Sequence, residues 1–315
     1  MITRRDFIAG AASAAAVALM PFDSHGQSAG STGRPPSGTL IKRAIPSTGE
    51  RIPVMGIGSS GTFGVFEAGA PPPDRVALRE VFRLFVDAGC TVVDTAPLYG
   101  DGEIILGDLI ADFGVRDKLF LATKLTRVTG RDEGLAQFQA SLRRLKTDKV
   151  ELLQVHDMRD LDTQFALTRE LKQRGLVKYV GLTHSNSEAQ DRMADAMQKL
   201  KPDFVQINYS PVSRGAERRI FPLAKDLGIA VIANRTFEDG KLFGQVKGKP
   251  LPDWAKEVDA DSWAQLFLKF VISEPAVTAV IPATSKPKNQ ADNLKAGFGR
   301  LMSAEQRAAL VAAIG

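Results

Sequence analysis

The strongest constraint in this chain is a repeat. Eight short apolar, largely β-branched runs are followed by turn residues and, in most cases, by a longer stretch of helical periodicity. They are Ile52–Ile57, Cys90–Asp94, Leu119–Lys124, Val150–Val155, Val177–Leu182, Phe204–Asn208, Ile229–Ala233 and Val277–Ile281. Most begin roughly thirty residues apart, the size of one strand-plus-helix unit. Strands this short and apolar on both faces belong in a parallel sheet covered by helices. Between the first two, Asp74 precedes a helix whose Leu78, Val81, Phe82 and Phe85 form one apolar stripe, and Gly89 ends it. Later helices read as Leu135–Leu145, Asp162–Arg174, Ser187–Leu200, Ala216–Leu227, Ser262–Ile272, Lys286–Ala296 and Ser303–Ile314. The fold class is therefore α/β, and the expectation is a (β/α)8 TIM barrel, with a doubly wound sheet as the alternative. Gly56-Ile57-Gly58-Ser59-Ser60-Gly61 runs into a Pro-rich loop instead of a helix, so it does not read as a dinucleotide-binding fingerprint.

A chain of 315 residues, 44% hydrophobic and 24% charged, is long enough for one such barrel. With Cys90 as its single cysteine it forms no intrachain disulfide and no cysteine-based zinc site, and no metal is expected. The net charge of +5 comes from interspersed Lys+Arg (41) and Asp+Glu (36), which reads as a mixed solvated surface and not as a nucleic-acid face. The N-terminus reads as an address. Arg4-Arg5 precedes a weakly apolar, Ala-rich run ending near Met20, too short to span a bilayer, and resembles a twin-arginine export signal with a small-residue cleavage site at Ser24-His25-Gly26. Residues 1–26 are thus expected to be a signal, 27–38 a Gly/Ser/Pro linker, and 39–315 one barrel domain. The partner this implies is the twin-arginine translocase, the destination is the periplasm, and no membrane association remains after signal removal.

In a barrel the chemistry sits at the C-terminal strand ends. Asp94 ends the second run, Lys124 the third and His156 follows the fourth, while Tyr99 lies five residues beyond Asp94. Each alone has a bland reading, since a strand-end Asp often caps a helix and a partly buried His is often just hydrogen-bonded. Together they converge on one rim, where ionisable clusters concentrate at sites. A lysine beside a tyrosine lowers the phenol pKa, an aspartate fixes the lysine, and a neutral histidine orients a carbonyl. That set suits carbonyl reduction, with hydride supplied by a cofactor because no side chain can provide it.

The segment VVDTAPLYGDGEIILGDL (Val92 to Leu109), Lys124 in LATKL, His156 in LLQVHDM, Gln206-Ile207-Asn208-Tyr209-Ser210 and Ile281-Pro282-Ala283-Thr284-Ser285 resemble the aldo-keto reductase superfamily. The resemblance covers Thr39 to the C-terminus. It implies a barrel that binds NADPH in an extended pose, NADH being less favoured, with an N-terminal hairpin including Thr39–Ile45 closing the bottom. By match, Asp94, Tyr99, Lys124 and His156 become the catalytic set, with Tyr99 as proton donor. Tyr209 takes the place of a ring stacked on nicotinamide and Gln206 that of a carboxamide partner, with Ser59 and Ser210 among the cofactor contacts. His184 stands in Thr183-His184 where the family usually has Ser-Asn. Pro282, Thr284, Ser285 and Lys286 match the turn and helix start that hold the 2′-phosphate, and Asn293 the adenine contact. Asn289 replaces a frequent arginine. Arg235 stands where a small residue is usual, either on the pyrophosphate or simply on the surface.

The substrate expected is a small carbonyl compound. Phe63 and Phe66 form an apolar wall over the site or pack in the rim, and the chain stopping after Ser303–Ile314 points to an open pocket and broad aldehyde or ketone specificity. Two rival functions use the same residues: an NADP-bound redox-sensing module similar to potassium-channel β subunits, and a Schiff-base lyase acting through Lys124.

Overall fold

The computed structural model describes residues 38–64 and 71–315; the expected export signal, the expected linker up to residue 37 and Phe66 lie outside the described residues. Strands β1 (Lys42–Ala44) and β2 (Arg51–Pro53) form an antiparallel hairpin. Eight parallel strands follow in spatial order: β3 (Gly56–Gly58), β4 (Val92–Asp94), β5 (Phe120–Leu125), β6 (Val150–His156), β7 (Val177–His184), β8 (Phe204–Asn208), β9 (Ala230–Asn234) and β10 (Val277–Val280). The seam between the first and last is bridged by Val280 N–H donating to Val54 O at 2.8 Å and Gly58 N–H to Pro282 O at 3.1 Å. This is the expected barrel. Close approach on both sides explains Gly56, where a Cβ would lie 2.9 Å from Val92 O on β4 and 3.0 Å from the Ile281 side chain across the seam.

One boundary differs from the sequence reading. The run Ile52–Ile57 is two strands, the end of the hairpin and the start of the barrel, with a bend at Val54. Both halves are buried, so hydropathy carries no trace of the corner between them.

The helices wrap the outside: α1 (Arg75–Asp87), α2 (Gly102–Phe113), α3 (Arg131–Arg144), α4 (Leu161–Gln173), α5 (Gln190–Leu200), α6 (Ile220–Leu227), α7 (Lys241–Gln245), α8 (Trp263–Ile272), α9 (Pro287–Lys295) and α10 (Ala304–Ile314). Helix α1 begins where Asp74 accepts from Val76 and Ala77 N–H, and it buries Leu78, Val81, Phe82 and Phe85 as its spacing predicts. Helix α2, directly after the Tyr99 turn, was not read as a helix from the sequence. It opens with a glycine and carries a second one, and it is apolar around much of its girth, so it lacks the amphipathic contrast that marks the others.

Alternation along the strands divides the barrel interior into two levels. The lower level is apolar: Val92, Phe120, Leu152, Tyr179, Phe204 and Ala230 pack with Ile45 and Ile52, through which the hairpin plugs the floor. The rings of Phe120, Tyr179 and Phe204 meet at centroid distances of 5.4–5.9 Å. The inward residues turn polar two positions further along β4, β6 and β8 (Asp94, Gln154, Gln206) and four positions further along β5, β7 and β9 (Lys124, Thr183, Asn234), and the site begins there.

Candidate active site

Strand β4 ends in Asp94 and strand β5 places Lys124 beside it, in a spot where neither side chain meets solvent appreciably. The Lys124 ammonium donates to Asp94 Oδ2 at 2.6 Å and to Thr95 O at 2.8 Å. It also sits 4.9 Å from the centre of the Tyr99 ring and hydrogen-bonds the Tyr99 side chain. Tyr99 reaches this point on a tight turn, with its N–H on Ala96 O and its carbonyl accepting from Gly102 N–H. Gly64 presses on that turn: a Cβ there would lie 2.0 Å from Tyr99 O, so only glycine fits. On the far side, Glu103 in the first turn of α2 is anchored by Thr123 Oγ1 at 2.6 Å and by Arg144. His156, at the end of β6, meets the Tyr99 ring edge-on with 6.2 Å between centroids. Its Nδ1 is 3.0 Å from Thr126 Oγ1, and its Nε2 is 3.7 Å from the Asp157 carboxylate. The four residues expected to act together are brought together.

Their ionisation differs in one respect from the sequence expectation. Burial pushes the Tyr99 phenol above its ordinary range, and Lys124, the largest opposing influence, does not reverse it. The net shift is upward, so Tyr99 is a protonated phenol at neutral pH. Burial works against the Lys124 charge, but Asp94 and then Tyr99 outweigh it and hold the ammonium above its usual range. A lysine kept charged is no amine nucleophile, which counts against the Schiff-base reading. Burial, followed by the Lys124 charge, brings His156 down to about 4, leaving it neutral at pH 7.

The polar level continues around the barrel. Gln154 and Gln206 both donate to Asp94 Oδ1, at 3.1 and 2.8 Å, and Gln206 Oε1 accepts from Thr183 Oγ1 at 3.1 Å and Asn234 Nδ2 at 3.3 Å. Gln206, the expected carboxamide partner, thus lies inward on the rim beside Asp94, with its amide in this network. Tyr209 is a correction. Phe204, Gln206 and Asn208 point inward, so Tyr209 points outward, fully buried against Phe221 and Phe270 with its hydroxyl on Glu217 and Arg307. That ring belongs to the packing between sheet and helices and is not offered to a nicotinamide. Phe63 is likewise fully buried and forms no wall over the rim.

The remaining expected contacts line the rim. Ser59, at the end of β3, donates to Thr95 Oγ1 at 2.9 Å. His184 Nδ1 accepts from Asn186 N–H at 3.0 Å, which leaves the proton of the neutral ring on Nε2. Ser210 donates to Glu238. Arg235 has left-handed backbone, ion-pairs with Asp239 and donates to Ser185 O, bridging the loops after β7 and β9. After β10, Pro282 and Thr284 are buried, Ser285 is half-buried, and Thr284 Oγ1 accepts from Lys286 N–H at 3.1 Å. Lys286 is the exposed N-cap of α9, whose first turn has no side-chain cap; Asn289 is exposed and Asn293 buried within the helix. Sequence reasoning passed over Thr126, Gln154 and Asn234. Their signal was positional, since Gln154 and Asn234 are inward-parity polar residues at the tops of otherwise apolar strands.

Fold and site together define a class: a (β/α)8 barrel carrying a buried Lys124–Asp94 ion pair against a tyrosine phenol on its C-terminal rim. The sequence profile of the aldo/keto reductase family matches residues 55–314. Aldo-keto reductase YhdN of Bacillus subtilis is 29% identical over 219 residues, 64% of this chain and 64% of its own. An aldo-keto reductase of Strobilurus tenacellus is 32% identical over 203 residues, 61% of this chain and 57% of its own. The chain thus spans less than two thirds of the length of these relatives. Among solved structures, the thermostable aldo-keto reductase Tm1743, crystallised with the inhibitor epalrestat, superposes with a TM-score of 0.71 at 25% identity, covering 88% of this chain and all of its own. An aldo/keto reductase from Klebsiella pneumoniae in complex with NADP and acetate gives 0.68 at 24% identity, over 83% of this chain and 91% of its own. The chain belongs to the aldo/keto reductase family, whose members are oxidoreductases that use nicotinamide cofactors.

Proposed function

We propose that this protein is an NADPH-dependent reductase of aldehydes or ketones, with Tyr99 as the proton donor. The observation that carries the reading is the buried Lys124–Asp94 pair set against a protonated Tyr99 phenol. The residues present fit the cofactor in two places. Asn234, the inward residue at the top of β9, has a buried Oδ1 without a hydrogen-bond partner, and the first turn of α9 offers uncapped N–H groups beside Lys286. Thr284, Ser285 and Lys286 would hold the 2′-phosphate, with His184 Nε2–H and Asn234 nearest the nicotinamide end.

When bound, the reduced nicotinamide supplies hydride to the carbonyl carbon. The Tyr99 hydroxyl gives its proton to the carbonyl oxygen, and the Lys124 ammonium steadies the phenolate left behind. Asp94 keeps Lys124 charged and in place. The Asp157 carboxylate near His156 Nε2 favours the proton there, so the Thr126 hydroxyl donates to Nδ1 and Nε2–H is free to orient the carbonyl. The test is a titration with NADPH followed by protein fluorescence, then a panel of aldehydes. Saturable quenching and NADPH consumption are expected. Absence of both would overturn the reading, and tight NADP retention with negligible turnover would replace it with the redox-sensing module.

For the N-terminus, the Arg4-Arg5 pair before a weak apolar run supports export through the twin-arginine translocase, with removal of residues 1–26 and a periplasmic destination. That route carries folded cargo and would let the cofactor travel already bound. Replacing Arg4-Arg5 with Lys-Lys is expected to strand the precursor in the cytoplasm; an undiminished periplasmic pool on fractionation would sink the proposal.

A further inference from the structure

The polar face of β5 continues one step beyond the ion pair. Phe120, Ala122 and Lys124 point into the barrel, and by the same alternation so does Thr126, the first residue past the strand. The register of β5 on β6 runs as far as Leu125 opposite Val155, which sets Thr126 opposite His156, and there the Thr126 hydroxyl lies 3.0 Å from His156 Nδ1. Both side chains are buried. The backbone of Thr126 is held by a side chain. Its N–H donates to Gln137 Oε1 at 2.7 Å and its carbonyl accepts from Gln137 Nε2 at 2.8 Å, so one amide on α3 grips one residue at two points. The rest of the loop is anchored separately, with Thr129 N–H on Glu133 at 2.7 Å and Gly130 N–H on Asp160 at 2.8 Å. The Gln137 grip thus falls on Thr126 and not on the loop at large.

We propose that Gln137 is a positioning residue for carbonyl binding: it fixes the Thr126 backbone so that the Thr126 hydroxyl stays on His156 Nδ1, which keeps the single imidazole proton on Nε2. The inference rests on the reductase reading above, in which Nε2–H meets the substrate oxygen. A neutral imidazole has one N–H, and the nitrogen that accepts a hydrogen bond does not carry the proton. A hydroxyl can donate to a bare Nδ1 or accept from Nδ1–H, and only the first arrangement leaves Nε2–H for a ligand. The Asp157 carboxylate, 3.7 Å from Nε2, biases the choice from one side, and a hydroxyl fixed at Nδ1 supports it from the other. Threonine is β-branched, so once its backbone is set few orientations remain for the hydroxyl. The ladder to β6 ends at Leu125 and Arg127 turns left-handed, so the Gln137 amide stands in for the missing strand neighbour.

The test reads the tautomer directly. In the full-length protein, with histidine isotope-labelled at its ring nitrogens, NMR shows which nitrogen is protonated, and because the sequence has three histidines a His156→Asn variant assigns the signals. The unmodified protein is expected to show Nε2–H alone at His156. Thr126→Val keeps the side-chain shape and removes the hydroxyl, while Gln137→Met keeps the length and removes the amide. Both are expected to give a mixture of tautomers and to lower kcat/KM for carbonyl reduction by about tenfold for Thr126→Val and about threefold to tenfold for Gln137→Met, with the NADPH Kd within about twofold. Thr126→Ser, which retains the hydroxyl, should stay within about threefold of the unmodified protein. Nε2–H alone in both variants would leave the choice to Asp157 and overturn the inference, as would a loss confined to the melting temperature. A mixture in Thr126→Val but not in Gln137→Met would remove Gln137 from the role. Absence of NADPH binding and turnover in the unmodified protein removes the reductase reading, and with it the role in carbonyl binding. The tautomer is read without cofactor or substrate, so that failure is told apart from the others.

Discussion

The two halves of the rim are built differently. On the β4–β6 side Asp94, Lys124 and His156 are buried, Tyr99 is half-buried beside Lys124, and the group is bonded internally or to neighbouring strands. On the β9–β10 side Arg235, Lys286 and Asn289 face solvent at least in part, and Asn234 keeps an acceptor without a partner. On the proposed function, the difference follows from what each half would do. Proton transfer depends on charges fixed before the substrate arrives, because reorganising dipoles during the reaction costs activation energy. A dinucleotide site must instead remain enterable, and its polar groups find their partners when the ligand binds. Left-handed backbone at Arg235, Glu238 and Asp239 in the loop after β9, and at Asp157 and Met158 after β6, shows strain gathered where the rim is shaped.

The comparison breaks most directly at Tyr99. Tyr99→Phe is expected to lower the rate of reduction by two to four powers of ten while leaving NADPH affinity within a few fold, since loss of a positioned acid costs about that much. Near-normal turnover would mean that the enclosed half is not the proton-donating half. Next is Lys124→Met, which leaves the Asp94 charge buried without its ion-pair partner. A stability loss of about 3–5 kcal/mol is expected in denaturant titrations, and Asp94→Asn added to it should recover much of that loss. An additive double mutant would show that the pair is not coupled.

A third effect comes from acid. In the unfolded chain His156 takes a proton near its ordinary value of 6.5, whereas in the folded protein it resists until about 4. The unfolded state therefore binds more protons in that window, and stability falls as pH drops from 6.5 toward 4, by up to about 3 kcal/mol. His156→Asn should flatten that part of the stability curve; an unchanged slope would assign the acid sensitivity elsewhere. The smallest expected effect lies on the open half. A charge-assisted contact to a 2′-phosphate is worth about 1.5–3 kcal/mol, so Lys286→Ala should weaken NADPH by roughly one to two powers of ten and leave NADH nearly unchanged. Equal loss for both cofactors, or none for either, would remove Lys286 from the site.

Sequence by itself determined what depends on local periodicity. Eight apolar runs and the helical stripes between them specified a barrel, because a strand apolar on both faces is stable only inside a covered sheet. The same runs placed Asp94, Lys124 and His156 at strand tops, and the turn chemistry after Asp94 placed Tyr99 near them. Even the outward side of Tyr209 was present as parity, an odd three positions beyond the inward Gln206, though its motif suggested otherwise. Tertiary structure decided what depends on partners far along the chain. It divided Ile52–Ile57 at a bend that burial on both sides hides, made a helix of the glycine-containing Gly102–Phe113, and closed the backbone of Gly64 onto the Tyr99 turn. It also turned Gln206 toward Asp94, 112 residues earlier in the chain. An amide can donate or accept on either side, so its orientation is fixed only by the charge that folding brings next to it.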